Sequence, residues 1–415
     1  MASAMDPAVP GDGERAVTPT RARDPRFPLV DGLRAVAMLC VVVTHTAALS
    51  GFNLVNGTLG PITARLDSGV TLFFVISGFL IYRPFVAARV DGRPAPRPGP
   101  YVRRRLLRVV PAYWLALTLL AVWPGLPGVH TGDWWIYYGF LQNLSVTTVA
   151  SGIGPAWSLC VELSFYAALP LYALLVARRW GSLTETPLVR RELAVLAALS
   201  AASMTVRMFA FDDSTPTVPV ANTIAGTFVW FAAGMGLAVA SVAYAGRAAH
   251  VLPLPLRVVA RRPGLAWLAA LGVIVVTSRL DFPRVIADPF TAAEWFAEPL
   301  LYGAFALCLA LPAVFGAGRR GVPARVLSWR PLAWLGLVSY GVFLWHLPLA
   351  TELTGVTRSV THLQYIAYFA VTLAAATACA AASYYGVERP LLALKGRAPR
   401  PPAVGRLEAA RGTAD

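Results

Sequence analysis

Three ionisable side chains sit in stretches that hydrocarbon would penalise. His45 lies in the apolar run 33–49, His346 in the run 332–350, and Glu162 near the start of the run 159–177. At the centre of a membrane span such a group costs roughly 2.5–3.5 kcal/mol on insertion scales, so one that persists is a functional candidate by default. Counting about 1.5 Å per residue, His45 lies roughly 18 Å into its run, and His346 is at a similar depth. The plainer alternative for either histidine is a hydrogen bond to a neighbouring helix and nothing more. A second, cationic cluster stands apart from these groups. Asp31-Gly32-Leu33-Arg34 opens the first span, and Arg103-Arg104-Arg105-Leu106-Leu107-Arg108 opens the third. Guanidinium groups present a fixed fork of donors to phosphate oxygens, so the same arginines can anchor a helix end and hold a phosphorylated ligand.

The elements that must position these groups are membrane helices. Of 415 residues, 57% are hydrophobic and 14% charged, against about a quarter charged in soluble domains. Ten apolar runs are long enough, or nearly so, to cross about 30 Å of hydrocarbon: 33–49, 70–88, 109–123, 159–177, 193–209, 223–244, 265–277, 300–315, 332–350 and 364–384. The third and seventh are short. A net charge of +15 raises the question of nucleic acid, but its distribution excludes that class. With the amino terminus inside, 31 of the 36 basic residues fall in cytoplasmic segments, and the exceptions are Arg65, Arg207, Arg279, Arg284 and Arg358. That alternation is the positive-inside pattern of a membrane protein. The expected fold is therefore all-α, a polytopic integral membrane protein of ten spans with both termini cytoplasmic. The membrane domain covers 29–392, and the polar stretches 1–28 and 393–415 are expected to be disordered tails. The first run has no convincing cleavage site and should remain in the mature chain.

The longest extracytoplasmic loop, 124–157, carries Trp134, Trp135, Tyr137, Tyr138 and Phe140. Amphipathic rings of this kind are expected to settle at the membrane interface. Cys40, Cys160, Cys308 and Cys379 lack C-x-x-C spacing, so they read as small buried hydrophobes and neither a disulfide framework nor a metal site is expected.

The motifs then follow one another in an order that resembles a known family. Arg34 and His45 form an R-x10-H pair. The second run contains Gly69-Val70-Thr71-Leu72-Phe73-Phe74-Val75-Ile76-Ser77-Gly78-Phe79, and Arg104 to Trp114 reads R-R-x-x-R-x-x-P-x-Y-W. Trp157 to Tyr166 reads W-S-L-x-x-E-x-x-F-Y. The ninth run carries Gly336, Ser339-Tyr340 and Leu344-Trp345-His346-Leu347-Pro348, and Glu388-Arg389-Pro390 follows the tenth. Over residues 28–392 the chain is similar to the acyltransferase-3 family of bacterial membrane O-acyltransferases. One departure is Thr71, where the family often has an acid; its role would be absent here or taken by the nearby Asp67.

The resemblance implies a multi-pass protein of the bacterial cytoplasmic membrane. It would move an acyl group, acetyl or another short one, from cytoplasmic acyl-CoA to a hydroxyl, usually on a sugar. Acyl-CoA would be a co-substrate, with no permanently bound cofactor and no metal, and the partners would be the bilayer and a sugar-containing acceptor. His45 would be the general base on the acceptor hydroxyl, since an imidazole titrates near the working pH. Glu162 would orient that histidine or the acceptor. Arg34, Arg104, Arg105 and Arg108 would hold the donor, and Ser77, Tyr166, Trp157 and His346 would line the acceptor's passage. Direct transfer and an acyl-histidine intermediate both stay open. The rival reading is a proton-coupled transporter or flippase using His45 and Glu162 as relay groups, against which stands the lack of a visible internal repeat.

Overall fold

The computed structural model of the chain describes residues 27–180, 185–211, 218–245, 247–280, 282–284, 289–316, 321–354 and 361–393. Among these there is no strand. Ten long helices run in order: α1 Leu29–Ser50, α2 Gly69–Val90, α3 Pro98–Val122, α4 Trp157–Trp180, α5 Glu185–Phe209, α6 Ile224–Ala243, α7 Pro263–Arg279, α8 Ala292–Phe315, α9 Arg330–Thr354 and α10 His362–Ser383. Nine of the helical segments among the described residues are long and apolar enough to cross a bilayer unaided. The tenth is a bent pair, in which the short helix Leu254–Arg261 meets α7 at 108°. This is the seventh run, expected to be short: α7 has only 17 residues, and Pro263 at its start lacks the N–H that would continue the preceding helix. The third run was expected to be short as well, but α3 has 25 residues. Arg103 to Arg108 lie near its start, as expected of a segment that opens the span. The tails assigned to 1–28 and 393–415 lie almost wholly outside the described residues. Phe27 already belongs to the fold, its ring 4.8 Å from that of Phe79 and beneath the Arg83 guanidinium.

Without a hydrophobic drive between helices in lipid, close backbone approach is what binds them, and small residues permit it. Two crossings fix the site. A Cβ on Gly336 of α9 would fall 1.7 Å from the Asp31 carbonyl oxygen of α1, so α1 and α9 touch backbone to backbone beside Arg34. Where α2 crosses α6, a Cβ on Gly78 would fall 2.3 Å from the Phe231 oxygen, and one on Gly234 2.0 Å from the Val75 oxygen. Side chains larger than hydrogen at these points would push apart the helices that carry His45, His346 and Ser77.

Two of the basic residues that break the charge bias are accounted for by burial. Glu298 lies between Arg65 and Arg207, at 3.6 and 3.5 Å. Arg65 also donates to the Pro283 carbonyl, and Arg207 stacks 4.1 Å from the centre of the Trp295 ring. The Tyr302 hydroxyl donates to Asp67 at 2.6 Å. Each charge in this cluster has partners, as hydrocarbon burial requires.

The loop 124–157 differs from the expected interfacial segment. Trp134 and Trp135 are exposed, but Tyr137 is buried beneath Gly128 and Gly152, both at positive φ. A Cβ on Gly128 would sit 2.3 Å from the Tyr137 hydroxyl. Phe140 turns inward too, its ring 4.4 Å from Tyr113. Tyr137 and Leu126 join the core formed by α3 and α9. This segment is a plug seated on the helix ends, with two tryptophans at its rim.

Candidate active site

His45, on the fifth turn of α1, and His346, on α9, meet ring to ring. Nδ1 of His45 is 2.8 Å from Nε2 of His346, with the rings stacked at 17°. On its other side His346 Nδ1 lies 2.8 Å from the Phe343 carbonyl oxygen and 3.1 Å from that of Val342. A carbonyl only accepts, so His346 Nδ1 carries the proton. In a neutral ring His346 Nε2 is then the acceptor, and the His45 Nδ1–H donates to it. The remaining nitrogen, His45 Nε2, is left with a free lone pair. His346 is fully buried, whereas His45 keeps partial exposure. A buried ring held by backbone thus fixes the tautomer and direction of a more accessible one. Sequence reading gives His346 to the acceptor passage and lets Glu162 orient either His45 or the acceptor; the side chain in contact with the His45 ring nitrogen is that of His346.

On the arginine-rich side of this pair lies a partly open cavity. Arg34, Arg105 and Arg108 line it with Ser77, Glu162, Tyr166 and Tyr340. The Ser77 hydroxyl donates to Glu162, joining α2 to α4. Arg34 is paired with Asp31 at 3.1 Å. Arg105 sits with its guanidinium 5.7 Å from the Tyr166 ring and 5.9 Å from the Tyr101 ring. Its Nε is buried without a hydrogen-bond partner among the described residues, and an unpaired buried donor of this kind favours an anionic ligand. Arg104 is exposed and does not line the cavity. It lies about 100° round the helix from Arg105.

Trp157 is also outside the lining; it packs against Phe74 and its carbonyl accepts from Asn143. Thr71 is buried. Asp67, considered as its substitute, is committed to Tyr302 in the ion cluster.

The cavity and the histidine pair are separated by two rings that sequence reading did not single out. Phe73 and Phe343 both line the cavity and meet edge to face at 6.0 Å, and Phe343 lies 5.9 Å from the His346 ring. Tyr340 was noted as part of a motif but given no role. It lines the cavity while its hydroxyl ties α9 to the Val109 carbonyl of α3 at 2.8 Å. Only the helical phase of 336, 339, 340 and 343 on α9 signals that these share a face. Among the described residues no cluster of three metal-ligating side chains occurs.

A membrane-embedded imidazole with a free ring nitrogen, beyond a cavity lined with arginines, is an arrangement suited to group transfer. The acyltransferase domain of the acyltransferase-3 family matches residues 27–381, and the chain belongs to that family. It is 25% identical over 357 residues to the peptidoglycan O-acetyltransferase OatA of Listeria monocytogenes, covering 81% of this chain and 51% of that protein. It is 26% identical over 392 residues to the putative peptidoglycan O-acetyltransferase YrhL of Bacillus subtilis, covering 88% of this chain and 55% of the relative. To the putative membrane-bound transacylase BcsY of Komagataeibacter xylinus it is 26% identical over 403 residues, covering 89% and 84%. The chain thus spans about half the length of the first two relatives. No solved structure matches it.

Proposed function

We propose that this chain is an O-acyltransferase of the bacterial cytoplasmic membrane, moving an acetyl or other short acyl group from cytoplasmic acyl-CoA to a hydroxyl of a carbohydrate or glycosylated acceptor. The observation that carries the reading is the His346–His45 contact, which leaves His45 Nε2 unprotonated on the inner side of an arginine-lined cavity. The names of the relatives, which acetylate peptidoglycan or transfer acyl groups in membranes, point the same way.

The chemistry follows from the residues. Arg105 and Arg108, with Arg34, hold the anionic donor while its thioester arm lies along Ser77 and Tyr340. The Phe73 and Phe343 rings part to admit the thioester to the histidines. His45 Nε2 takes the proton of the acceptor hydroxyl as the oxygen attacks the thioester carbon. The carbon–sulfur bond breaks, the departing thiolate takes the proton from the imidazolium, and the products are an ester and the free thiol of CoA. His346 accepts the His45 Nδ1–H throughout and so keeps Nε2 aimed at the substrate. Glu162, fixed by Ser77, balances part of the arginine charge.

Inside-out membrane vesicles containing the chain, supplied with radiolabelled acetyl-CoA outside and a glycan acceptor within, test this reading. Label should appear as base-labile ester on the glycan. Label confined to acetyl-CoA and free acetate, together with flux driven by a pH gradient, would replace it with the transporter.

A further inference from the structure

A second, half-open chamber lies at the arginine-rich end of α2 and α4. Its walls are Tyr82, Phe85, Ala173 and Ala177, and its rim is Arg89 with Gly92, Arg93 and Ala95. The Arg89 side chain is 8% exposed and its Nη2 pairs with the fully buried Glu192, which also accepts from the Tyr82 hydroxyl. The Arg89 Nε, however, is buried with no partner among the described residues. Leaving a charged donor in that condition costs more than an ordinary unmade hydrogen bond, so the site is incomplete as it stands. Arg93, paired with Asp91 at 2.6 Å, adds a more exposed cation at the rim.

The chamber adjoins the cavity already described. Tyr101 stands between them. Its ring is 5.6 Å from Phe85 in the chamber wall and 5.9 Å from the Arg105 guanidinium in the cavity, and its hydroxyl donates to the Tyr166 carbonyl. From Arg89 to Ser77 is about 18 Å along α2. The two spaces lie on either side of Tyr101: a recess walled by Tyr82 and Phe85 with two guanidiniums at its rim, and the cavity that Arg105 and Arg108 line.

Resting on the acyl-CoA reading above, we infer that the second chamber is the subsite for the nucleotide end of the donor. The adenine lies against Tyr82 and Phe85, and the phosphates meet the free Arg89 Nε and Arg93. An inner-leaflet lipid phosphate shares the anionic chemistry. The ring-walled recess favours the nucleotide, because a planar base stacks on aromatic faces and a glycerophosphate does not.

Substituting Ala177→Trp fills the chamber from its wall and leaves the Arg89–Glu192 pair intact. In full-length protein reconstituted in phosphatidylcholine vesicles, it should raise the KM for acetyl-CoA about tenfold, the equivalent of one lost contact of ordinary strength. The KM for S-acetylpantetheine, which lacks the nucleotide, should move less than twofold. Arg89→Gln should show the same split. Equal effects on both donors, or none on acetyl-CoA, would overturn the subsite.

Adenosine 3′,5′-bisphosphate, the nucleotide end alone, should protect the wild type from thermal unfolding and lose that effect in Ala177→Trp. Absence of protection in the wild type overturns the subsite even where transfer is normal. A wild type that binds the bisphosphate yet forms no ester keeps the subsite and removes the transfer reading. Adding phosphatidylglycerol to the vesicles should leave the wild-type KM for acetyl-CoA unchanged; a KM that climbs with its content assigns the chamber to lipid.

Discussion

Replacing His346 by alanine removes the acceptor for the His45 Nδ1–H and nothing that lines the arginine cavity. The contact is a 2.8 Å hydrogen bond between two rings, one of them fully buried. Leaving a polar group without its partner in such surroundings costs about 1–3 kcal/mol, which at about 1.4 kcal/mol per decade is a roughly 5- to 150-fold loss. The loss should appear in kcat, because His45 spends less time in the productive tautomer and direction. The KM for acetyl-CoA should stay within twofold. His346→Gln keeps a side-chain carbonyl that can accept from the His45 Nδ1–H, and should recover most of kcat. The assay is CoA-thiol release by purified, reconstituted protein, with thermal unfolding of each variant as a control for folding. An alanine variant with wild-type kcat would refute the positioning role. So would a glutamine variant no better than alanine when both melt at the wild-type temperature.

Further outcomes follow from the same geometry. Arg105→Gln should raise the KM for acetyl-CoA by roughly 10- to 150-fold, from about 1.5–3 kcal/mol for a hydrogen bond to a charged group, whereas the exposed Arg104→Gln should leave it near the wild-type value; equal effects would make the two arginines membrane anchors only. Gly234→Val places carbon where 2.0 Å separates a Cβ from the Val75 oxygen, and should destabilise the chain by about 1–3 kcal/mol or more, read as a lower unfolding temperature in detergent. Glu298→Ala leaves Arg65 and Arg207 without their shared carboxylate and should cost about 3–5 kcal/mol in the same melt, with Glu298→Gln milder.

The membrane architecture was readable because hydropathy and arginine placement report on the same variable, depth in the bilayer. The depth of His45 and the nearness of Arg34, Arg105 and Arg108 to one end followed from residue counting on single helices. The pairing of His45 with His346 did not, since they are 301 residues apart and only the α1–α9 crossing at Gly336 brings them together. The same holds for Arg65, Arg207 and Glu298, which look like exceptions to a charge rule until their helices pack. Arg104 was grouped with its neighbours by sequence adjacency, whereas the helix turns it away from the cavity that Arg105 and Arg108 share. The bend before α7 is hidden because the short helix Leu254–Arg261 lies outside the apolar run 265–277, and only its packing shows that it meets α7 at 108°.

The most direct test of the central claim is acetyl transfer by His45→Ala, measured against the wild type at equal amounts of membrane-inserted protein and saturating acetyl-CoA. Removal of a general base is expected to lower the rate by about 10²–10⁴-fold while acetyl-CoA still binds and the variant melts normally. Ester formation at close to the wild-type rate in that variant would contradict the account.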